Sequence, residues 1–128
     1  MTCFWDGIIS SLNNDDLKIL GLVNKPTPRI MAHCLKKLNK KTKNIKWNNY
    51  ALSLNQQEEN YIHISDYTEE SINEGYLCSI CDPFLCLLCD ILNCNITHNY
   101  LNKPMYYTVN SSFRTIEFTS NRGHFWKK

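Results

Sequence analysis

The chain has 128 residues, of which 43% are hydrophobic and 20% are charged, and its formal net charge is +2. The length fits a single domain covering residues 1–128, and the composition excludes a disordered or fibrous chain. A charge this small does not indicate nucleic acid as a partner. No apolar run reaches the ~18–20 residues that a membrane span requires, so we expect a soluble protein with no membrane partner.

The seven cysteines bear on the cellular compartment. Residues 1–6 lack the basic region and the apolar stretch of a secretory signal. We therefore expect a reducing, cytoplasmic environment, in which thiols stay free and pack as small apolar side chains.

Three helices are predicted from their start signals. Thr2 can cap a helix that runs to Leu12, because apolar residues recur there at the spacing of one helical face. Thr27-Pro28 opens a second helix and Asp82-Pro83 a third, since proline suits the first helical position. The third segment is apolar almost all round its axis, which predicts a buried central helix.

The other segments are predicted to form strands and turns. Short strands are expected near residues 50–54 and 61–64, and Gly75 is expected to end a helical turn. Later strands are predicted over residues 95–100, 105–109, 114–119 and 124–127, with a turn at residues 110–112. N-terminal helices and a buried central helix packed on a C-terminal antiparallel sheet give an α+β fold class.

Cys3 is the first candidate for chemistry, because it lies at the start of the first predicted helix. The helix dipole and the unpaired N–H groups at such a position favour the thiolate form of a cysteine. The same N–H groups can hold the oxyanion of an acyl-transfer intermediate. The alternative interpretation is that Cys3 simply packs at the end of the chain.

His124 is the candidate partner of this thiol. It begins the last predicted strand, in which His124 and Trp126 share one face while Phe125 points to the other. An imidazole beside a thiol can accept its proton and later protonate a leaving amine, although a strand histidine can also be purely structural. A cysteine on the first helix and a histidine on a late strand together form the arrangement of papain-like folds.

The sequence resembles the ovarian-tumour (OTU) cysteine proteases, and especially their divergent viral forms. The resemblance is carried by residues 3–7 (Cys-Phe-Trp-Asp-Gly), 75–85 (Gly-Tyr-Leu-Cys-Ser-Ile-Cys-Asp-Pro-Phe-Leu), 92–96 (Leu-Asn-Cys-Asn-Ile) and 123–125 (Gly-His-Phe). It implies a papain-like fold and cleavage after the C-terminal glycine of ubiquitin or a ubiquitin-like modifier. It also implies Cys3 as the nucleophile and His124 as the general base, without a cofactor, in the host cytoplasm or in association with a virion.

Two features depart from the family pattern. Many members orient the histidine with an Asp or Asn two positions later, where this sequence has Trp126, so Asn121 is a candidate substitute. Family members also carry an Asp-Gly-Asn-like loop before the cysteine, whereas only two residues precede Cys3 here. These departures favour an alternative hypothesis, a catalytically inactive OTU-like module that serves as a viral structural or host-protein-binding component. If the site is active, a hydrophobic substrate groove is expected to be walled by Trp5, Tyr76 and Trp126.

Two further clusters favour structural roles. Four cysteines form two C-x-x-C pairs, but only four residues separate the pairs and a helix starts in that gap. We therefore expect core cysteines and no metal site, since zinc ribbons need a longer spacing. The four cysteines are Cys78, Cys81, Cys86 and Cys89.

The lysine-rich stretch at residues 36–46 is expected to be a solvated helix end, which makes a nucleic-acid surface the less favoured interpretation.

Overall fold

The computed structural model describes residues 2–76, 81–110, 112 and 114–128, and its fold class is α+β. Within these ranges the chain forms five α-helices, one 3₁₀ helix and six strands. In chain order these are α1 (Cys3–Ser11), α2 (Asn14–Ile19), α3 (Pro28–Lys37), β1 (Ile45–Trp47), β2 (Tyr50–Ala51), α4 (Leu54–Asp66), the 3₁₀ helix (Glu69–Glu74), α5 (Pro83–Leu92), β3 (Asn95–Tyr100), β4 (Lys103–Val109), β5 (Thr115–Ser120) and β6 (Phe125–Lys127).

The strands form one mixed sheet in the order β2-β1-β4-β3-β5-β6. β3 and β5 run parallel, with Ile96 opposite Ile116, while the other neighbouring pairs are antiparallel. The prediction of an antiparallel sheet is therefore wrong for this pair. The reason is the path of the chain. A tight turn at Leu101 and Asn102, both with positive φ, folds β4 back along one edge of β3, and β5 then adds to the opposite edge.

The turn predicted at residues 110–112 connects two strands that are not neighbours in the sheet. In the sheet, β3 lies between β4 and β5. Of the three residues, Ser111 lies outside the described ranges.

The region before the central helix also differs from the prediction. Only Tyr50–Ala51 forms a strand in the segment 50–54, and the segment 61–64 lies inside the helix α4. Ser53 and Gln56 form a capping box, in which each side-chain oxygen accepts a hydrogen bond from the other residue's backbone N–H, at 3.1 and 3.0 Å. This start signal sets the conformation of the residues after it.

α5 is the central helix, as its apolar sequence predicts. Asp82 caps it by accepting hydrogen bonds from the backbone of Phe84 and Leu85, and Pro83 occupies its first turn. The helix contacts α2, α3 and α4 as well as strands β1, β3 and β4, so it lies between the helices and the sheet. Its buried residues are Pro83, Phe84, Leu85, Cys86, Leu87, Leu88, Cys89 and Leu92.

α1 packs against β6, the edge strand at one end of the sheet. Gly7 makes the close approach possible, because a Cβ at this position would lie 2.8 Å from the ring of Phe125. The Phe125 ring is buried and its centroid lies 4.9 Å from that of Phe4. This contact brings the two ends of the described chain together.

Candidate active site

Cys3 occupies the first position of α1 and its side chain is half-buried. Thr2 is the N-cap residue, but its hydroxyl donates to the Asp6 carboxylate at 2.7 Å and makes no capping bond to the helix backbone. The first N–H groups of a helix have no intrahelical acceptors. Cys3 therefore lies beside backbone N–H groups that can stabilise an oxyanion.

His124 immediately precedes β6, and its side chain is exposed. A turn at Asn121 and Gly123 positions it. The backbone N–H of Asn121 donates to the His124 carbonyl at 2.9 Å, and the Asn121 side-chain oxygen accepts from the Gly123 N–H at 2.9 Å. Because Phe125 is buried beneath α1, the imidazole one residue earlier stays at the surface.

Two cavities meet at Cys3 and His124. Both are lined by these two residues and by Phe125. The cavity that we call the Tyr76 cavity has a volume of about 260 Å³, and its further lining residues are Glu74, Gly75, Tyr76, Arg122 and Gly123. The second, which we call the Trp126 cavity, has a volume of about 300 Å³, and its further lining residues are Asp6, Gly7, Ser10, Trp126 and Lys127.

The two candidate catalytic groups are accessible to a ligand in these cavities. Within the described residues, neither the Cys3 thiol nor the His124 imidazole forms a side-chain hydrogen bond, with each other or with a third group. Contacts between a nucleophile and its base are often long in an unliganded enzyme and shorten in the substrate complex. The arrangement thus brings a thiol and an imidazole to one surface without committing either of them elsewhere.

The two candidate orienting residues contact His124 in different ways. The Asn121 side-chain oxygen is engaged by the Gly123 N–H, so this side chain shapes the turn. Trp126 lies against the imidazole itself, with ring centroids 5.1 Å apart and planes inclined by 32°. An aromatic face restrains a neighbouring ring by packing against it. Of the two candidates, Trp126 is therefore the one whose side chain packs directly on the imidazole.

Of the three predicted groove walls, Tyr76 and Trp126 each line one of the two cavities, whereas Trp5 lines neither. Tyr76 lines the Tyr76 cavity. Trp5 is only 1% exposed, and its indole N–H donates to the Tyr67 hydroxyl at 3.2 Å in the core. The expectation that Trp5 walls the groove is therefore corrected. Its position on the buried face of α1, beside Ile8, points it toward the core.

Sequence reasoning missed two charged walls of the Tyr76 cavity. Glu74 and Arg122 both line it and are exposed, and neither forms a salt bridge within the described ranges. Each precedes a glycine, Gly75 or Gly123, that lines the same cavity. These residues could have been identified from the sequence by a local pattern, in which a charged residue and a glycine precede a candidate site residue, as in Arg122-Gly123-His124.

The cysteine pairs are partly described. Cys86 and Cys89 are buried on α5, as predicted, and Cys78 lies outside the described residues. The sulfur of Cys81 lies 3.6 Å from that of Cys86. These residues stand before the cap and in the second turn of α5, where a pair of apolar side chains commonly staples a helix start. Among the residues searched, no group of three or more His, Cys, Asp or Glu side chains converges to hold a metal ion.

The lysine-rich stretch is partly neutralised by acidic neighbours. Lys40 lies 3.5 Å from Asp90, and Lys41 lies 2.7 Å from Glu58. Ion pairs of this kind reduce the positive field available to a phosphate backbone.

No protein-family model, curated protein or solved structure gives a significant match to the chain. A search of the described residues for a helix with the length and hydropathy of a membrane span also finds none. The resemblance to the OTU cysteine proteases accordingly remains a prediction from the sequence.

Proposed function

We propose that the chain is an OTU-like cysteine hydrolase that cleaves ubiquitin or ubiquitin-like conjugates. In this proposal Cys3 is the nucleophile, His124 is the general base and acid, and no cofactor takes part. A viral origin and action in the host cytoplasm, with or without association with the virion, belong to the same proposal.

The observation that carries the proposal is the meeting of Cys3 and His124 at two shared cavities. The residues come from opposite ends of the chain and reach one surface only because α1 packs on β6. Structural cysteines and histidines more often point into a core, whereas these two face open cavities at a helix start. A thiol and an imidazole that share an accessible surface are two of the groups that thiol catalysis uses, and this supports the proposal.

The chemistry follows from these positions. His124 accepts the thiol proton, and the Cys3 sulfur attacks the carbonyl carbon of the scissile amide. The negative charge on the carbonyl oxygen is stabilised by N–H groups at the start of α1. When the C–N bond breaks, His124 protonates the leaving amine and a thioester remains. Water then attacks the thioester, with His124 as the base, and releases the carboxylic acid and the free thiol.

A fluorogenic amide of the ubiquitin C-terminus tests this proposal. We expect turnover by the wild-type protein and a loss of at least about 10³-fold in kcat/KM for Cys3→Ala and for His124→Ala. Cys34→Ala and His33→Ala are the matched controls, because both residues lie on α3, outside the two cavities. A wild-type protein that neither cleaves the amide nor forms an adduct with a ubiquitin electrophile overturns the proposal.

One observation favours a second candidate function, the catalytically inactive OTU-like module. Within the described chain, no side chain holds the His124 imidazole by a hydrogen bond, and the Asn121 oxygen is engaged in its own turn. The rate of Cys3 alkylation as a function of pH separates the two functions. A midpoint near ~8.5 is that of an ordinary thiol and favours the binding module. A midpoint well below that value favours the hydrolase.

A further inference from the structure

Asp82 is a buried carboxylate next to the candidate site that the proposed chemistry does not use. It is 1% exposed, and no lysine, arginine or histidine in the described residues forms a salt bridge with it. Its Oδ1 atom accepts backbone hydrogen bonds from Phe84 at 2.8 Å and from Leu85 at 3.4 Å. Buried carboxylates without a cation are rare, so this one calls for a physical explanation.

The third donor to Asp82 connects it with the site. The Tyr76 hydroxyl donates to the same Oδ1 atom at 3.1 Å, and Tyr76 lines the cavity that contains Cys3 and His124. The Tyr76 ring also lies 4.5 Å from the ring of Phe4, the residue after Cys3. One wall of the cavity is thus attached to the cap of the central helix by this hydrogen bond.

The other titratable groups around Asp82 come from three elements. The Tyr107 hydroxyl of β4 accepts a hydrogen bond from the Asp82 backbone N–H at 2.9 Å. Cys81 and Cys86 flank the start of α5. The Nε2 atom of His63 in α4 lies 3.5 Å from the Tyr76 hydroxyl, so an exposed imidazole adjoins the other side of that group.

From this geometry we infer that Asp82 is a positioning residue of the site, whose ionised carboxylate holds Tyr76 as a wall of the cavity and whose protonation releases that wall. The inference rests on the proposed function only in identifying the Tyr76 cavity as the substrate groove, and its test requires no turnover.

The direction of the effect follows from the hydrogen bonds. An ionised acceptor binds the Tyr76 hydroxyl more strongly than a neutral carboxylic acid does. Burial raises the pKa of Asp82 to about 7, against the opposing effect of its three hydrogen bonds. The wall is therefore held above about pH 7 and loosened below it.

The test compares two electrophiles at the Cys3 thiol, iodoacetamide and a bulky maleimide, with labelling at the Cys3 peptide measured by mass spectrometry between pH 6 and pH 8.5. Both labelling rates depend in the same way on the fraction of ionised thiol, so this factor cancels when one rate is divided by the other. In the wild-type protein we expect the rate of the bulky reagent, relative to iodoacetamide, to rise about fivefold from pH 8 to pH 6. This factor is the change in the population of the released wall that the loss of one net hydrogen bond would cause.

Two variants should remove this pH dependence. Asp82→Asn keeps a good helix cap but does not ionise, and Tyr76→Phe keeps the ring but not the hydroxyl. Tyr67→Phe is the matched control, because Tyr67 belongs to the same aromatic cluster without lining the cavity. It should retain the wild-type change.

The outcomes separate this inference from the proposed function. A ratio that is independent of pH in the wild type, or an unchanged profile in Asp82→Asn, overturns the inference. A pH-dependent ratio in a protein that fails to react with ubiquitin electrophiles overturns only the hydrolase.

Discussion

At the scale of single residues, two glycines near the site have opposite surroundings. Gly7 lies against Phe125, where an added Cβ would come within 2.8 Å of the ring. Gly123 lines the Tyr76 cavity, and an added Cβ there would meet no atom within 4 Å. The first glycine therefore sets the spacing between α1 and β6, and the second keeps the cavity open.

The two alanine variants should separate stability from activity. We expect Gly7→Ala to lower the free energy of unfolding by about 1–2 kcal/mol, because overpacking outweighs the gain in helix propensity. Gly123→Ala should change it by less than about 0.5 kcal/mol, yet reduce kcat/KM for the ubiquitin amide because the methyl group narrows the groove. Urea unfolding and reporter kinetics measure both quantities. Equal stability losses in the two variants would contradict this assignment.

At the scale of elements, α4 begins at a capping box, although the pattern of polar and apolar residues within the helix resembles that of a strand. The Ser53–Gln56 capping box satisfies two N–H groups at the helix start. We expect Ser53→Ala to destabilise the protein by about 1 kcal/mol, as measured by urea unfolding followed by circular dichroism. Ser53→Asp should restore most of the loss, because an aspartate can cap and also suits the helix dipole. An unchanged midpoint in Ser53→Ala would show that tertiary contacts alone maintain α4.

Elements with strong local signals could be predicted from the sequence. Thr27-Pro28 and Asp82-Pro83 begin helices as expected, because a cap and a following proline act within one turn. The helix α4 was missed because Tyr61 and Ile62 resemble a strand, although both are partly exposed on the helix surface. The parallel pairing of β3 with β5 depends on contacts between distant segments, which no local pattern specifies.

The residues of the candidate site also fall into two groups, those that could be predicted from the local sequence and those that depend on tertiary packing. Cys3 and His124 could be selected by chemical type and by their places at a helix start and a strand start. The burial of Trp5 and the charged walls at Glu74 and Arg122 depend on how α1, the 3₁₀ helix and the last turn pack together. The chemical type of each side chain can be read from the sequence, whereas the residues that line a cavity are determined by tertiary packing.

At the scale of the whole molecule, unfolding has opposite effects on two buried titratable groups, because one takes up a proton and the other releases one. His98 is 1% exposed, its Nε2 lies 2.6 Å from the Ser120 hydroxyl, and burial lowers its pKa from 6.5 to about 4. Between these values unfolding takes up a proton at His98, so its contribution to stability rises with pH. Asp82 behaves in the opposite way, because burial raises its pKa from 3.8 to about 7. Unfolding releases its proton in that window, so its contribution falls as pH rises.

These contributions should nearly cancel between about pH 4.5 and pH 6, and removing one group should reveal the other. Relative to wild type, the free energy of unfolding of Asp82→Asn should rise by about 1.4 kcal/mol per pH unit across this window, and that of His98→Gln should fall with a similar slope. Urea unfolding at half-unit pH steps measures both differences, and an overall stability change in either variant does not affect the slopes. Parallel profiles for wild type and both variants would mean that neither group changes its protonation on unfolding. Opposite slopes would instead show that the fold keeps one acid and one base neutral in its interior.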